Sequence, residues 1–355
     1  MTNIIYYKVL NKELNHFGFQ YNLGLNIDTR EFNPTGSCEK GGLYFTNKEN
    51  IIEYLHYGIY IAEITIPEGA QIYEDLINNN VWKADKLFIN KYYPIKEWDG
   101  WNEKSCLEAI KSNKCSLEFI LEKFKTKDLC ELAVRNSYWA LEWVPEEFKT
   151  YELLSTTVNY NGLAIQSISG THISYELCLL AIKNDGYALE FVPEQFKTYE
   201  LCLLAIEKTG ETLEYVPEQF KTYKLCELAI KNHGYALHWV PEKYKIKEIC
   251  KLAVKNYGHA LNYVPEYHKS KELCLISIKN NGCALRWVPT KFKTEALCLI
   301  AIKNEGMALK FVPEKFKTKE LCLMAIKQDE VAIDFIPEEF KTKELYLLIN
   351  KNRYN

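Results

Sequence analysis

The dipeptide Val-Pro recurs through most of the chain at intervals that are multiples of 24 residues. Its prolines are Pro145, Pro193, Pro217, Pro241, Pro265, Pro289 and Pro313, and Ile-Pro follows at Pro337. A short unit repeated this strictly, without insertions, predicts supersecondary units stacked in a row, each burying its apolar face against a neighbour. Such an array presents an extended surface, which is more typical of binding proteins than of enzymes with a catalytic cleft.

Residues 198–221 show how one repeat is built. Thr198 can accept hydrogen bonds from the free first-turn amides of a helix. Leu201, Cys202, Ala205 and Ile206 follow at the spacing of one apolar helix face, which predicts a first helix of about eleven residues. Such a short helix is marginal alone in water, so we expect it to depend on its neighbours.

A glycine and a proline punctuate each repeat. The glycine occurs at positions 162, 186, 210, 234, 258, 282 and 306. We expect it to adopt the left-handed conformation that ends the first helix. A second, shorter helix should then run as far as Val216, because Pro217 disfavours helical geometry at the residue ahead of it.

These signals predict a fold class in two parts. Residues 1–100 should form a small α+β domain, with strands at 4–9, 43–46 and 59–66, a helix at 48–55 and an apolar segment at 87–93. Residues 101–355 should form an all-α solenoid of about ten two-helix repeats of 24 residues. Tyr346 and Ile349 depart from the repeat near the end of the chain, which predicts a C-terminal cap.

Most of the twelve cysteines share one column of the repeat. The column contains Cys106, Cys130, Cys178, Cys202, Cys226, Cys250, Cys274, Cys298 and Cys322. Stacked helices lie about 8–10 Å apart, which is too far for disulfides or for thiolates that converge on zinc. We therefore interpret these cysteines as small buried apolar side chains in a reducing compartment.

The composition excludes several functional classes. The net charge of −3 lacks the basic excess expected of a nucleic-acid-binding protein. No apolar run is long enough for a signal peptide or a membrane span, which favours an intracellular location. The seven histidines are scattered without metal-site spacing, and we find neither a phosphate-binding loop nor a serine-nucleophile motif.

Two columns of the repeat are candidates for partner binding. One follows the helix N-cap, and the other follows the glycine. Their candidate residues are Tyr151, Tyr175, Tyr199 and Tyr223 in the first column, and Trp139, Tyr187, Tyr235 and His259 in the second. Aromatic side chains are enriched at interfaces, although the tyrosines could equally lie flat on neighbouring repeats.

Two further columns have simpler interpretations. The aromatic residues that precede Val-Pro, such as Trp239, are expected to pack in the core because they share a short helix with the buried valine. The lysine of each Phe-Lys-Thr motif, such as Lys221, has a glutamate nearby that offsets its charge. We therefore expect a solvated edge of mixed charge rather than a phosphate-binding row.

The repeat resembles a family of unknown function. The consensus T-x-E-L-C-L-x-A-I-K-x-N-G followed by A-L-E-F-V-P-E-x-F-K is similar to a repeat found in tandem arrays, mainly in proteins of giant DNA viruses and some intracellular bacteria. This resemblance spans all ten units and implies a setting in the host cytoplasm or the virion. Residues 1–100 also resemble a module that precedes such arrays in giant-virus proteins.

The N-terminal segment GGLYFTNKENIIEYL followed by YGIYIAEITIP is similar to the strand-helix-strand core of the ADP-ribosyltransferase superfamily. That resemblance implies NAD as a cofactor, held by a histidine and a tyrosine and acted on with the help of a glutamate. The candidate residues are His16, Tyr44, Tyr54, Glu63 and Glu74.

Two functions follow from these patterns. The first is a non-enzymatic scaffold or adaptor whose solenoid surface binds a protein partner, with no cofactor and no metal. The alternative is an NAD-dependent enzyme within residues 1–100 whose repeats select the target. A membrane is not expected as a partner, and nucleic acid is the less favoured partner.

Overall fold

The computed structural model describes residues 4–16, 18–35, 40–75 and 81–341. Its contacts divide the chain into two compact units, Met1–Thr157 and Val158–Asn355. The first unit contains the sheet and the first repeats, and the second contains the remaining repeats. The division predicted at residue 100 stays a prediction, and Cys38, Tyr346, Ile349 and the predicted cap lie outside the described residues.

The described part of the N-terminal region is rich in strands, which pair antiparallel. The strands are β1 (Tyr6–Leu10), β2 (Asn15–His16), β3 (Phe19–Gln20), β4 (Gly24–Ile27), β5 (Leu43–Thr46), β6 (Tyr60–Thr65), β7 (Ile72–Glu74), β8 (Val81–Ala84) and β9 (Lys86–Pro94). Seven of them form one sheet in the order β4-β9-β6-β1-β5-β8-β7, while β2 and β3 form a separate hairpin.

One face of the large sheet carries the hydrophobic core of this region. Leu10, Phe45, Ile64 and Leu87 are buried there, each contributed by a different strand. Side chains alternate between the two faces of a strand, so the neighbours of these residues point to the opposite face. The predicted strands at 4–9, 43–46 and 59–66 are confirmed within two residues, and the segment at 87–93 lies within β9.

The helix predicted at residues 48–55 is a 3₁₀ helix, Ile51–Tyr57. Its residues Ile51, Ile52 and Leu55 are buried. A second short 3₁₀ helix, Ile95–Glu97, follows the last strand and leads into the repeats.

The repeats contain one α-helix each, nine or ten residues long. These helices are α1 (Glu103–Lys111), α2 (Lys127–Asn136), α3 (Tyr151–Tyr160), α4 (Tyr175–Asn184), α5 (Tyr199–Lys208), α6 (Tyr223–Asn232), α7 (Lys247–Asn256), α8 (Lys271–Asn280), α9 (Glu295–Asn304) and α10 (Lys319–Gln328). Helix-capping side chains open nearly all of them, as Thr198 does for α5. Ile246 is the exception in its column, as its apolar side chain requires.

The second helix of each repeat is a tight 3₁₀ helix rather than an α-helix. From the second repeat onward these helices are Tyr138–Trp143, Gly162–Ser167, Gly186–Phe191, Gly210–Tyr215, Gly234–Trp239, Gly258–Tyr263, Gly282–Trp287, Gly306–Phe311 and Glu330–Phe335. The first repeat has only Leu117–Phe119 here. The proline then opens one more turn, because Phe220 N donates to the Pro217 carbonyl at 2.9 Å.

These further turns span three residues each, and the third repeat lacks one. They are Glu122–Phe124, Glu146–Phe148, Glu194–Phe196, Glu218–Phe220, Glu242–Tyr244, Glu266–His268, Thr290–Phe292, Glu314–Phe316 and Glu338–Phe340. None of the helices in the described ranges is long and apolar enough to cross a membrane.

The role predicted for the repeat glycines is wrong. The glycines with positive φ in the described residues are Gly18, Gly24, Gly41, Gly42 and Gly69, all outside the repeats. In the repeats the glycine begins the 3₁₀ helix, close to the α-helix of the next repeat. A Cβ atom on Gly210 would lie 2.3 Å from the Ala229 carbonyl oxygen. The glycine is therefore required by close packing between repeats and not by backbone conformation.

A periodic asparagine joins consecutive α-helices, a role that sequence analysis missed. The Nδ2 atom of Asn256, the last residue of α7, donates to the Ile230 carbonyl of α6 at 3.0 Å. Asn232 and Asn304 repeat this bond at 2.8 and 2.9 Å. Each asparagine donates to a carbonyl in the last turn of the preceding α-helix, which has no partner within that helix. The recurrence of asparagine every 24 residues was the available sequence signal.

Candidate functional site

The 3₁₀ helices of Val158–Asn355 present a continuous outward surface. In Gly234–Trp239 the third and fourth residues, Ala236 and Leu237, are buried, whereas Tyr235, His238 and Trp239 remain accessible. We call the surface formed by the second, fifth and sixth residues of these helices the 3₁₀ face. Its central members are Tyr187, Glu190, Phe191, Glu211, Glu214, Tyr215, Tyr235, His238, Trp239, His259, Asn262, Tyr263, Cys283, Arg286, Trp287, Met307, Lys310 and Phe311.

Aromatic contacts join one repeat to the next along the 3₁₀ face. The Tyr235 ring lies 5.3 Å from the Tyr263 ring and 5.1 Å from the Trp239 ring, edge to face in both cases. One repeat further on, the His259 ring lies 4.9 Å from the Trp287 ring. Edge-to-face packing of this kind holds the rings in place while leaving part of each accessible.

Polar groups extend the 3₁₀ face towards its N-terminal end. The Tyr187 hydroxyl donates to the Glu211 carboxylate of the next repeat, and this bond raises the pKa of Tyr187 to about 12. The other Glu211 oxygen lies 3.3 Å from His233 Nδ1. Three repeats are thus connected through side chains that vary in identity.

The charges on the fifth position of each 3₁₀ helix change sign along the face. Glu190 and Glu214 occupy it in two consecutive repeats, and Arg286 and Lys310 occupy it later. Arg286 lies 5.8 Å from the Trp287 ring and Lys310 lies 5.2 Å from the Phe335 ring, so both cations rest on aromatic faces.

The aromatic column before Val-Pro is not a core column, contrary to the prediction. Trp239, Tyr263 and Trp287 are only partly buried, whereas the neighbouring valines such as Val240 are 3% exposed. The prediction placed each aromatic side chain on the same face as the valine that follows it, but residues adjacent in the chain point in different directions, and here only the valine is buried.

The prediction of a solvated lysine edge is also wrong, although the expected pairing of these lysines with a glutamate is confirmed. In the Phe-Lys-Thr column the lysine side chains are 3% to 19% exposed where an ion pair is present, and each Nζ lies between 2.6 and 3.4 Å from the glutamate three residues earlier. Some also bond to the next repeat: Lys317 Nζ donates to the Phe335 carbonyl at 2.9 Å. These lysines cap the following 3₁₀ helix and hold neighbouring repeats together.

The predicted partner-binding residues fall on two different surfaces. Tyr187, Tyr235 and His259 lie on the 3₁₀ face, and Trp139 holds the same position in an earlier repeat, where it is 55% exposed. The tyrosine column instead begins the α-helices. Its residues Tyr151 and Tyr223 are exposed, whereas Tyr175 and Tyr199 are half-buried. Their role in binding stays a prediction.

Tyr223 shows one contact that bears on the alternative interpretation of the tyrosine column. Its ring lies 6.3 Å from the Tyr244 ring, edge to face, and Tyr244 belongs to the turn after Pro241 in the same repeat. The contact is made within one repeat, so packing of the tyrosines on neighbouring repeats stays a prediction.

The candidate catalytic residues are distributed over both faces of the N-terminal sheet. Glu63 pairs across strands with Tyr7, and its carboxylate accepts a hydrogen bond from the Tyr93 hydroxyl at 3.0 Å. His16 instead lies 3.2 Å from Lys8 Nζ. Because Lys8 follows Tyr7 in β1, its side chain points to the opposite face from Glu63. The sheet does not bring His16 and Glu63 together.

Two of the remaining candidates lie on the His16 side through shared neighbours. Lys8 Nζ, which lies 3.2 Å from His16, also donates to the Tyr44 carbonyl, and the His16 ring lies 5.4 Å from the Tyr57 ring. Tyr44 faces Lys83, whose Nζ lies 5.4 Å from its ring, while Tyr54 stacks 6.4 Å from Tyr57 on the 3₁₀ helix. Glu74 ends β7 at the edge of the sheet. An NAD-dependent activity stays a prediction, and the position of His16 and Glu63 on opposite faces of the sheet does not favour it.

A buried lysine in the sheet was missed by sequence analysis. Lys8 is 4% exposed, and its Nζ donates to the Tyr44 carbonyl at 2.6 Å. Burial lowers the pKa of Lys8 to about 7, and burial together with Lys8 lowers the pKa of His16 to about 3. Lysine within a strand pattern normally indicates a solvent-facing position, so the sequence held no signal for this burial.

The cysteine column is buried, as expected. Cys202, Cys226 and Cys250 are each free and inaccessible to solvent, and burial raises the pKa of each thiol to about 11. Within the described ranges no group of three or more cysteine, histidine or acidic side chains is arranged to hold a metal ion.

Comparison with known proteins identifies the repeats. A family described as a domain of unknown function, DUF4116, matches residues 102–149, 174–221, 198–245, 246–293 and 295–341, which together make up more than half of the chain. No solved structure matches.

Several relatives belong to Acanthamoeba polyphaga mimivirus. An uncharacterized protein is 37% identical over 104 residues, covering 28% of this chain and 75% of the relative. Two proteins with the printed name "putative ankyrin repeat protein" are 46% and 48% identical over 69 and 88 residues. These matches cover 19% and 23% of this chain, and only 34% and 29% of those two relatives. From its matched repeats, the chain belongs to the DUF4116 family.

Proposed function

We propose that this protein is a non-enzymatic scaffold whose repeat array binds a protein partner through the 3₁₀ face. The observation that supports it is the contrast between inward and outward positions of the same short helix. The inward positions hold alanine and leucine in nearly every repeat, whereas the outward second position reads Tyr187, Glu211, Tyr235, His259 and Cys283. Packing therefore constrains the inward set and leaves the outward set available for recognition.

The chemistry of the 3₁₀ face suits a protein partner. Tyrosine and tryptophan carry much of the binding energy at protein interfaces because they combine large contact area with few rotatable bonds. Tyr235 already contacts both Trp239 and Tyr263, so partner binding would cost these side chains little further conformational freedom.

The relatives support an interaction role in general terms. Two of them carry names that refer to ankyrin repeats, and stacked repeats commonly serve as binding surfaces. Because the matches span about a third or less of those relatives, their names alone do not identify a partner. Giant-virus relatives support a setting in the host cytoplasm or the virion.

Affinity capture with the full chain tests this proposal. The bait is compared with two variants of matched melting temperature. One replaces Tyr235, Trp239 and Tyr263 of the 3₁₀ face by alanine, and the control replaces Tyr175 and Tyr199 of the tyrosine column. We expect one protein to bind the wild type and the control equally, and the 3₁₀ variant to retain about a tenth or less of it.

Two outcomes would contradict the proposal. Loss of the partner from the control alone would place binding on the α-helical surface. Equal capture by all three baits and by empty beads would mean that the array binds no protein partner under these conditions. Nucleic acid as the true partner would appear as binding that weakens steeply with salt.

A further inference from the structure

A cleft of about 530 Å³ opens within Met1–Thr157, between the N-terminal 3₁₀ helix and the first two repeats. Residues 55–59 form one wall. The opposite wall comes from the end of α1, the segment 113–119 and the helix Tyr138–Trp143. This volume lies within the range of small-molecule binding sites.

The walls of the cleft concentrate exposed apolar side chains. Tyr57, Ile59, Trp139 and Trp143 line it and are 41%, 36%, 55% and 37% exposed. Phe119 adds a fifth apolar wall residue. Large aromatic side chains left in contact with water around one concavity are unfavourable without a function and typically mark a binding site.

A lysine replaces the repeat glycine at this cleft. Lys114 lines the wall, is half-buried and makes no ion pair with any residue that the structure describes. His56 faces it from the opposite wall. Burial and the charge of Lys114 both lower the pKa of His56, while Glu53 opposes them. An anion placed between the two walls would therefore be attracted to Lys114.

One carboxylate also borders the cleft. Glu142 lines it but is exposed, so water screens its charge more than that of the half-buried lysine. Glu142 offers a direct control, because removing its charge should act in the opposite direction from removing that of Lys114.

We propose that this cleft binds a small planar aromatic ligand that carries a negative charge. The ring packs against Trp139 and Trp143, and the anionic group is held by Lys114. This site is separate from the 3₁₀ face of the second unit, and it requires no protein partner. It would give the N-terminal region a binding function of its own.

A pair of dyes on the purified full chain tests the proposal. Anilinonaphthalene sulfonate carries a planar naphthalene ring and an anionic sulfonate, and N-phenyl-naphthylamine shares its rings without the sulfonate. Binding is followed by dye fluorescence and by quenching of tryptophan emission. We expect Lys114→Gln to weaken the sulfonate by about fivefold or more while changing the neutral dye less than about twofold.

Further variants sharpen the readout. Trp139→Ala should weaken both dyes by about fivefold, and Glu142→Gln should tighten only the sulfonate. Lys255→Gln, at an exposed lysine far along the array, is the matched control and should change neither. Lys114 is only half-buried, so its variant should fold, and melting curves check this for all four.

Specific outcomes would overturn the proposal. Equal affinity for the two dyes would contradict a role for Lys114. Sulfonate binding that survives both Lys114→Gln and Trp139→Ala in folded protein would place the dye elsewhere. These results are independent of partner capture, so this proposal and the scaffold proposal can fail separately.

Discussion

The N-terminal sheet and the repeat array bury polar groups by opposite strategies. In the sheet, β1 pairs with β6 and β4 pairs with β9, so neighbours in space are distant in sequence. In the array, a group finds its partner in its own repeat or in the next one, as Lys317 does at Phe335. Because its pairing is local, the stability of the array is approximately a sum over similar interfaces between repeats. The stability of the sheet instead requires strands that are far apart in the chain to pair.

Buried lysines show this difference most clearly. In the array, Lys221 is held by Glu218 at 2.7 Å, and its carboxylate partner reaches solvent. In the sheet, Lys8 has no carboxylate within ion-pair distance among the described residues, and its pKa falls to about 7. A lysine side chain is thus paired with an exposed carboxylate in one region, whereas in the other it is buried without a carboxylate and is about half protonated near pH 7.

The largest expected effect is an opposite response of the two regions to alkaline pH. The thiols of Cys202, Cys226 and Cys250 have a folded pKa of about 11, above their ordinary value of 9. Between these values the folded state keeps protons that the unfolded state has lost, so stability falls as pH rises. Lys8 is the reverse case: its lowered pKa means that its contribution to stability rises between pH 7 and about 10.

Urea unfolding between pH 7 and 10.5, followed by far-UV circular dichroism, measures this contrast. Replacing Cys202, Cys226 and Cys250 by alanine should reduce the fall in the free energy of unfolding above pH 9. Lys8→Met should remove its rise between pH 7 and 9. An array whose stability is independent of pH up to 10.5 would show that the thiols titrate normally.

The second effect concerns close packing between repeats. Gly210→Ala would place a Cβ 2.3 Å from the Ala229 carbonyl oxygen and should lower the free energy of unfolding by about 3 kcal/mol. Gly170→Ala is the control, because no atom lies within 4 Å of the added Cβ. Thermal melts compare the two variants.

Hydrogen exchange on Gly210→Ala then tests whether the array behaves as local interfaces. We expect protection to be lost in α5 and α6 and kept in β6 and β9. A uniform loss over the sheet and the repeats would show that the two regions unfold as one cooperative unit.

The smallest effect is a gain in stability at an irregular repeat. Thr290 replaces the glutamate of the other repeats, so Lys293 bonds to the Phe311 carbonyl at 3.0 Å without its carboxylate, and burial lowers the pKa of Lys293. Thr290→Glu should restore the ion pair and stabilise the protein by about 0.5–1 kcal/mol. The gain should vanish in a Lys293→Met background, which a double-mutant cycle of melting curves measures.

Prediction from sequence was accurate where spacing alone decides the structure. The capping residue Thr198 and the stripe of Leu201, Cys202, Ala205 and Ile206 predicted α5 to within a residue or two. Prediction was inaccurate where contact with another repeat decides the residue. The repeat glycines leave room for a carbonyl of the next repeat, and lysines such as Lys317 cap a 3₁₀ helix of the next repeat. The outward aromatic column was predicted to be core because each aromatic residue precedes a buried valine, and the burial of one residue does not fix that of its neighbour.

Sequence periodicity alone predicted the repeat length, the position of the α-helix in each repeat and the burial of its apolar stripe, because short-range spacing decides which side chains share a helix face. Packing between distant segments sets which outward residues form a continuous face, why the pKa of Lys8 is lowered and how Trp139 and Tyr57 come to line one cleft. Those properties depend on distances between segments far apart in the chain, and no local pattern records them.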